Sequence, residues 1–126
     1  MRIPDYGKRN RLRRAAWDWI ECVAAALCGH RAVIVGDFNT DPSYSSSRGG
    51  DRFFRMKTSG WAHAAPAGAS YWTLRGAPKQ LDHGFISPRL KTRRAEYVTR
   101  VGDQVLAHGT AALSDHAALL IEVALS

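Results

Sequence analysis

The chain has 126 residues, a length that suits one domain (1–126) and is enough to bury a core without disulfides or a structural metal. Its 45% apolar and 23% charged residues are ordinary for a soluble globular protein, and no run of roughly 18 or more apolar residues occurs to span a membrane. The 18 Lys and Arg against 11 Asp and Glu leave a net charge of +7, which attracts polyanions, nucleic acid being the commonest.

The amino terminus, Met1-Arg2-Ile3-Pro4-Asp5-Tyr6, has no apolar core of leader length behind a basic start, so a cytoplasmic location is expected. Residues 9–28 read as a helix whose apolar stripe is Leu12, Ala16, Trp19, Val23 and Leu27, with Gly29 as its cap. Cys22 and Cys28 point to different faces of that helix. They are expected to be buried free thiols, without a disulfide or a zinc site.

The run Ala32-Val33-Ile34-Val35 suits a strand buried on both faces. It delivers Asp37 and Asn39 at its carboxyl end, where open α/β sheets place their ligands. Residues 40–50 are loop, 51–58 a short helix anchored by Phe53, Phe54 and Met56, and 62–70 a small-residue linker. Strands are expected at 71–74, 81–87, 96–101 and 117–124, with a glycine-containing loop over 102–116. The basic run Arg89, Lys91, Arg93 and Arg94 reads as a solvated loop. Trp17, Trp19 and Trp61 read as core, and His30, His63 and His108 as surface or loop residues.

Polar groups gather at the predicted strand ends: Asp37 and Asn39 after one strand, Asp82 and His83 opening a second, Asp115 and His116 just before the last. Their types suit phosphodiester hydrolysis. Carboxylate and amide oxygens hold a hard cation such as Mg²⁺. A carboxylate orients or deprotonates water, and a histidine fixed by a carboxylate donates to phosphate oxygens.

The segments Val35-Gly36-Asp37-Phe38-Asn39-Thr40-Asp41-Pro42, Gln80-Leu81-Asp82-His83 and Leu113-Ser114-Asp115-His116-Ala117 resemble, in order and spacing, three motifs of the endonuclease/exonuclease/phosphatase family. That family includes exonuclease III, apurinic endonucleases and deoxyribonuclease I. The resemblance covers nearly the whole chain. It implies an α/β fold with a mixed, mostly antiparallel sheet and helices on one face, like the second half of the deoxyribonuclease I-like four-layer sandwich. It implies that Asp37 orients the attacking water and that Asn39 bonds the phosphate or nucleophile. Asp82 would hold His116, which contacts the phosphate, and Asp115, with Asp37 and Asn39, would bind Mg²⁺ or Mn²⁺. Trp72 and Arg75 lie where relatives engage substrate. His83 is expected to be structural, and Asp41 to position the loop.

Members of that family are about twice as long, with two α/β halves packed sheet to sheet. The first half brings an Asn, the main metal-binding Glu and a mid-chain Tyr or His. None is matched here: Glu21 has the wrong spacing, and Tyr6 is not read as a replacement. The sheet face that meets the other half is therefore expected to be bare, and the chain to form a homodimer or to pair with a separate first-half chain, unless it is a truncated frame. The expected activity is a metal-dependent nuclease acting on DNA. The alternatives are a phosphatase on a lipid or sugar phosphate, or a catalytically silent nucleic-acid-binding or assembly module.

Overall fold

A computed structural model describes residues 6–125. The terminal residues 1–5 and 126, and with them most of the segment read above for a leader, lie outside the described residues, as does the side chain of Tyr6. In chain order the elements are α1 (Tyr6–Leu27), β1 (Val33–Asp37), a 3₁₀ turn (Ser46–Arg48), α2 (Arg52–Thr58), β2 (Ala62–Ala64), β3 (Tyr71–Trp72), β4 (Pro78–Lys79), β5 (Asp82–Ile86), β6 (Leu90–Val98), β7 (Arg100–Val101), β8 (Gln104–Val105) and β9 (Ala118–Leu125). The central sheet has the order β1-β5-β2, and its pairings are antiparallel, as are those of the ribbons β3-β4, β6-β9 and β7-β8. This is the α/β architecture expected from the sequence. No helix among the described residues is long and apolar enough to cross a membrane.

The alternation of a strand decides which side of the central sheet each residue serves. Ile34, His63, His83 and Phe85 face the helices, where Trp17, Ala24, Met56, Trp61 and Phe85 form the buried core with Ile20, Leu27, Phe38 and Phe53 packed around it. Trp17 stacks on Phe38 at 4.9 Å and meets Phe53 and Phe85 edge-on. Its Nε1–H donates to Thr40 Oγ1 (3.1 Å), and Trp61 Nε1–H donates to Ala24 O (3.2 Å), so both indoles enter the core with their polar atoms satisfied. Arg52, also buried, donates to Asp18 (2.6 Å) and to Glu21, while Arg55 reaches Glu21 (2.7 Å). These pairs clamp α2 to α1 and give Glu21 a structural role.

The opposite side of the sheet carries Val33, Val35, Asp37, Asp82, Gly84 and Ile86. The β6-β9 ribbon covers part of it. A Cβ on Gly84 would stand 2.1 Å from Ile121 Cδ1, so glycine in the middle of this strand lets the ribbon approach. Val33 and Val35 remain 39% and 60% exposed and line an open cleft of about 460 Å³ with Leu119, Ile121 and Val123. The expectation that this strand is buried on both faces is therefore corrected. Only its helix side is covered among the described residues, and the cleft side is the bare apolar face that the family resemblance implied.

The helical stripe is also shifted. Trp17, Ile20, Ala24 and Leu27 face the core, whereas Leu12 and Trp19 are 62% and 68% exposed. α1 carries apolar residues around much of its circumference, so periodicity admitted two phases one residue apart. The same rotation leaves Cys22 exposed and Cys28 half-buried. Both thiols are free as expected, but neither is buried. Of the three anchors expected on α2, Phe54 points outward.

The stretch taken for a linker contains β2, which pairs with β5. The basic run taken for a loop lies mostly on β6, with a bulge between Thr92 and Arg94. Charge on a strand of a two-stranded ribbon guards its unpaired edge. The segment expected to be a loop over 102–116 includes β8.

His63 is a further correction. It sits half-buried on β2, and its Nε2 lies 2.9 Å from His83 Nδ1. His83 Nε2 lies 2.7 Å from the Thr40 carbonyl, which can only accept. His83 must therefore carry its proton on Nε2, and His63 Nε2–H donates to His83 Nδ1. Burial keeps this pair neutral. It lowers both pKa values, that of His63 to about 4 with repulsion from His83 adding to the effect. Below the unfolded value of 6.5 the unfolded chain thus binds more protons than the folded one. Stability is expected to fall as pH drops from 6.5 toward about 4, His63 contributing up to roughly 1.4 kcal/mol per pH unit before solvent screening reduces it and His83 acting in the same direction. Urea midpoints across that window test this, with His63→Phe expected to flatten the slope.

Candidate functional site

Asp82 and His83 are neighbours on β5, and strand alternation sends them to opposite sides of the sheet. His83 enters the core; Asp82 emerges on the cleft side, directly paired with Asp37 at the end of β1. His116 arrives from just ahead of β9. Its backbone bridges Tyr71, its ring lies 5.1 Å from that of Tyr71, and the next residue, Ala117, donates its N–H to Ser70 O (2.8 Å).

The three side chains form a line. His116 Nδ1–H donates to Asp82 Oδ2 (2.7 Å), which leaves Nε2 facing Asp37 Oδ2 at 3.9 Å. Their ligand atoms all lie within 4.8 Å of one another. The 3.9 Å gap is too long for a direct hydrogen bond and is of a size for a water to bridge.

Burial by itself would lower the His116 pKa. The Asp82 hydrogen bond and the charges of Asp82, Asp37 and Asp115 outweigh it, and the pKa is raised. The imidazolium is thereby favoured, with Nε2–H as a donor on the open side.

Neighbouring groups brace this line. Asp37 Oδ1 accepts the Asn39 N–H (2.8 Å), an Asx turn that orients the carboxylate and places Asn39 at φ +48°, a conformation asparagine tolerates. Ser70 Oγ accepts the N–H groups of Leu81 (2.9 Å) and Asp82 (3.2 Å), and Tyr97 donates its OH to Asp82 O (2.6 Å). Burial first, then the nearby Asp82 charge, pushes the Tyr97 pKa up to about 12, so the phenol keeps its proton. Asp41 is buried and accepts from Ser43 N–H (2.9 Å), Ser43 OH (2.6 Å) and Gln80 N–H (2.7 Å), which ties the loop after β1 to the entry of β5.

Of the residues singled out from the sequence, the structure brings Asp37, Asp82 and His116 together, with Asn39 joined to Asp37 through its backbone. Asp115 is exposed. Its charge reaches His116, but it is not one of the three converging groups. Trp72 stacks on His108 at 4.3 Å, and Arg75 is exposed on the turn between Thr73 and Ala77. Ser70 and Tyr97 are positioning residues that the sequence reading missed. Ser70 lies in a small-residue stretch and Tyr97 in an ordinary strand, so no spacing marks either.

The donor set suits a divalent cation in part. Asp37 offers a free carboxylate oxygen, and Mg²⁺ is commonly held by one or two carboxylates, with waters and substrate phosphates completing its shell. Asp82 is engaged by His116, and a protonated His116 is no ligand.

An antiparallel sheet with helices on one side and an Asp–His–Asp line on the other defines the class: half of an α/β sandwich with its polar site at the strand ends. The model of the Endonuclease/Exonuclease/phosphatase family matches residues 2–116, and the chain belongs to that family. A crystal structure described as the endonuclease/exonuclease/phosphatase from Bacteroides vulgatus shares the fold, with a TM-score of 0.62 and 23% identity over 93% of this chain. The match spans 45% of that chain, so this protein accounts for about half of its length. Among curated proteins no sequence matches it.

Proposed function

We propose that this chain supplies the carboxy-terminal half of a divalent-metal-dependent phosphoester hydrolase site, acting as a nuclease on DNA. The observation that carries this reading is the Asp82–His116–Asp37 line, open on the cleft side of the sheet. In this reading Asp37, held by the Asn39 N–H, orients the attacking water and takes its proton. The Asn39 amide bonds the phosphate. His116, kept protonated by Asp82, donates from Nε2 to a phosphate oxygen as charge shifts in the transition state. Asp37, Asn39 and Asp115 are the residues that would hold Mg²⁺ or Mn²⁺, which neutralises charge on the phosphate. The net charge of +7 supports nucleic acid over a lipid or sugar phosphate.

One observation favours a second reading, a silent nucleic-acid-binding module. Of the three expected metal ligands, only Asp37 belongs to the converging group. Plain duplex DNA, abasic duplex DNA, and lipid and sugar phosphates, each assayed in Mg²⁺ and Mn²⁺ beside an Asp115→Asn variant, separate these readings. Metal-dependent DNA cleavage that the variant lacks is expected. Turnover confined to the phosphate monoesters, or salt-sensitive DNA binding without turnover, would replace the nuclease reading.

The bare face of Val33, Val35 and Val123 runs up to Asp37 and Asp82. We propose that a first-half body packs there; the match to about half of the Bacteroides vulgatus chain supports this. Without that body the chain is expected to self-associate at micromolar concentration, and Val35→Glu to disperse it. Light scattering that finds a clean monomer for the parent contradicts the idea.

A further inference from the structure

Tyr44 lies in a nest of cations that the site described above does not use. The Arg48 guanidinium stacks 3.7 Å from its ring centroid, Lys79 Nζ lies at 5.4 Å, and the Arg13 guanidinium at 5.9 Å. These groups come from three separate parts of the chain: α1, the 3₁₀ turn and β4. Gathering like charges costs free energy that one aromatic face offsets only in part. Arg13 shows the strain. Burial, and then the charge of Arg48, pulls its pKa below the ordinary value. One of its NH groups donates to Asn10 Oδ1 (3.1 Å), while its Nε is buried with no hydrogen-bond partner among the described residues.

The nest is continuous with the candidate site. Arg13, with Arg9 and Trp17, lines a crevice of about 260 Å³ whose other wall is Asp37, Phe38 and Asn39. On the far side, Lys79 lines a second cleft with Trp72, Asp41 and Gln80. A line of cations thus runs from Trp72 past Lys79 and Tyr44 to Arg13, and ends at Asn39 and Asp37.

We propose that Arg13, Arg48 and Lys79 form a binding track for the phosphate backbone of a nucleic-acid strand, flanking the phosphate that faces Asp37 and His116. The proposal rests on the nucleic-acid reading of that site and adds where the rest of the strand lies. Arg48 covers one face of Tyr44, and Trp72 is stacked on His108, so the track offers cations rather than open aromatic faces. Binding along it is therefore indifferent to base sequence, as phosphate contacts are. A strand seated there relieves the repulsion within the nest.

The test is fluorescence anisotropy with fluorescein-labelled DNA, as a duplex and as one of its single strands, in EDTA across a range of KCl concentrations. Each phosphate contact contributes about 0.9 to the slope of log K against log salt for a duplex, and about 0.7 for a single strand. The combined variant Arg13→Gln/Arg48→Gln/Lys79→Gln is expected to flatten the slope by about 2 to 3. The control Arg89→Gln/Lys91→Gln/Arg93→Gln removes the same charge from β6 and the turn before it, and is expected to leave the slope unchanged. Circular dichroism melts of both variants should match the parent. Equal flattening by the two variants overturns the track but leaves the nucleic-acid reading standing. Absence of salt-sensitive DNA binding by the parent overturns both.

Discussion

Asp82→Asn is expected to slow phosphoester hydrolysis by about 10²–10⁴-fold, the range over which a well-placed acid–base group acts, with little change in stability. The substitution conserves shape, and the strand around it is held through its backbone by Ser70 and Tyr97 rather than through the carboxylate. What is lost is the negative charge 2.7 Å from His116 Nδ1 that holds the imidazolium. Burial then acts on His116 with less opposition, and its pKa falls. In the proposed mechanism the working form of His116 is the protonated one, so activity is expected to be lost as pH rises through the His116 pKa. The alkaline limb of the rate profile should therefore move to lower pH in the variant. The stability link has the same sign. A histidine whose folded pKa is raised stabilises the fold fully below its unfolded value of 6.5 and loses that contribution as pH rises through the folded value. A rate loss without movement of the alkaline limb would mean that Asp82 acts by another route.

Trp17→Ala is expected to cost about 3–5 kcal/mol of stability, the range for truncating a large buried aromatic. Native domains hold only about 5–15 kcal/mol in reserve, and one face of this sheet is only partly covered, so the variant is expected to be largely unfolded at 37 °C. The side chain is 1% exposed and touches Phe38, Phe53 and Phe85. Its indole N–H donates to Thr40 Oγ1, and the Thr40 carbonyl in turn accepts the hydrogen bond from His83 Nε2–H. The loop that carries Asn39 is therefore seated in part on this ring. Trp17→Phe keeps most of the burial and forfeits the hydrogen bond, with an expected cost of about 1 kcal/mol. Urea midpoints distinguish the two. A loss below about 1 kcal/mol for the alanine variant would show that Trp17 does not organise the core.

The placement of Asp37, Asn39, Asp82 and His116 was legible in the sequence because each sits where a strand meets a loop, in a short motif whose order and spacing are local properties. The division of labour between Asp82 and His83 follows from the two-residue strand period once the strand is recognised. The face of α1 was not legible, because Leu12, Trp19 and Val23 make as good a stripe as Trp17, Ile20 and Ala24, and only packing against Phe38 and Phe85 selects between them. β2 escaped notice because Ala62-His63-Ala64 is short and small. Its strand character comes from pairing with β5, about 20 residues further on. His63 and Glu21 illustrate the same limit: a hydrogen bond to His83 and ion pairs to Arg52 and Arg55 join residues that no local pattern links. Asp115 marks the reverse case, a residue plain in its motif whose side chain stands outside the converging group.

In the proposed site Asp37 is the carboxylate that serves both the attacking water and the cation. The most direct measurement is the rate of duplex DNA cleavage as Mg²⁺ is titrated, for the parent and for Asp37→Asn prepared side by side. The expected result is cleavage by the parent that rises with Mg²⁺, stops in EDTA, and falls at least about 10²-fold in the variant. Cleavage that is equal in the two proteins, or that persists in EDTA, would contradict it.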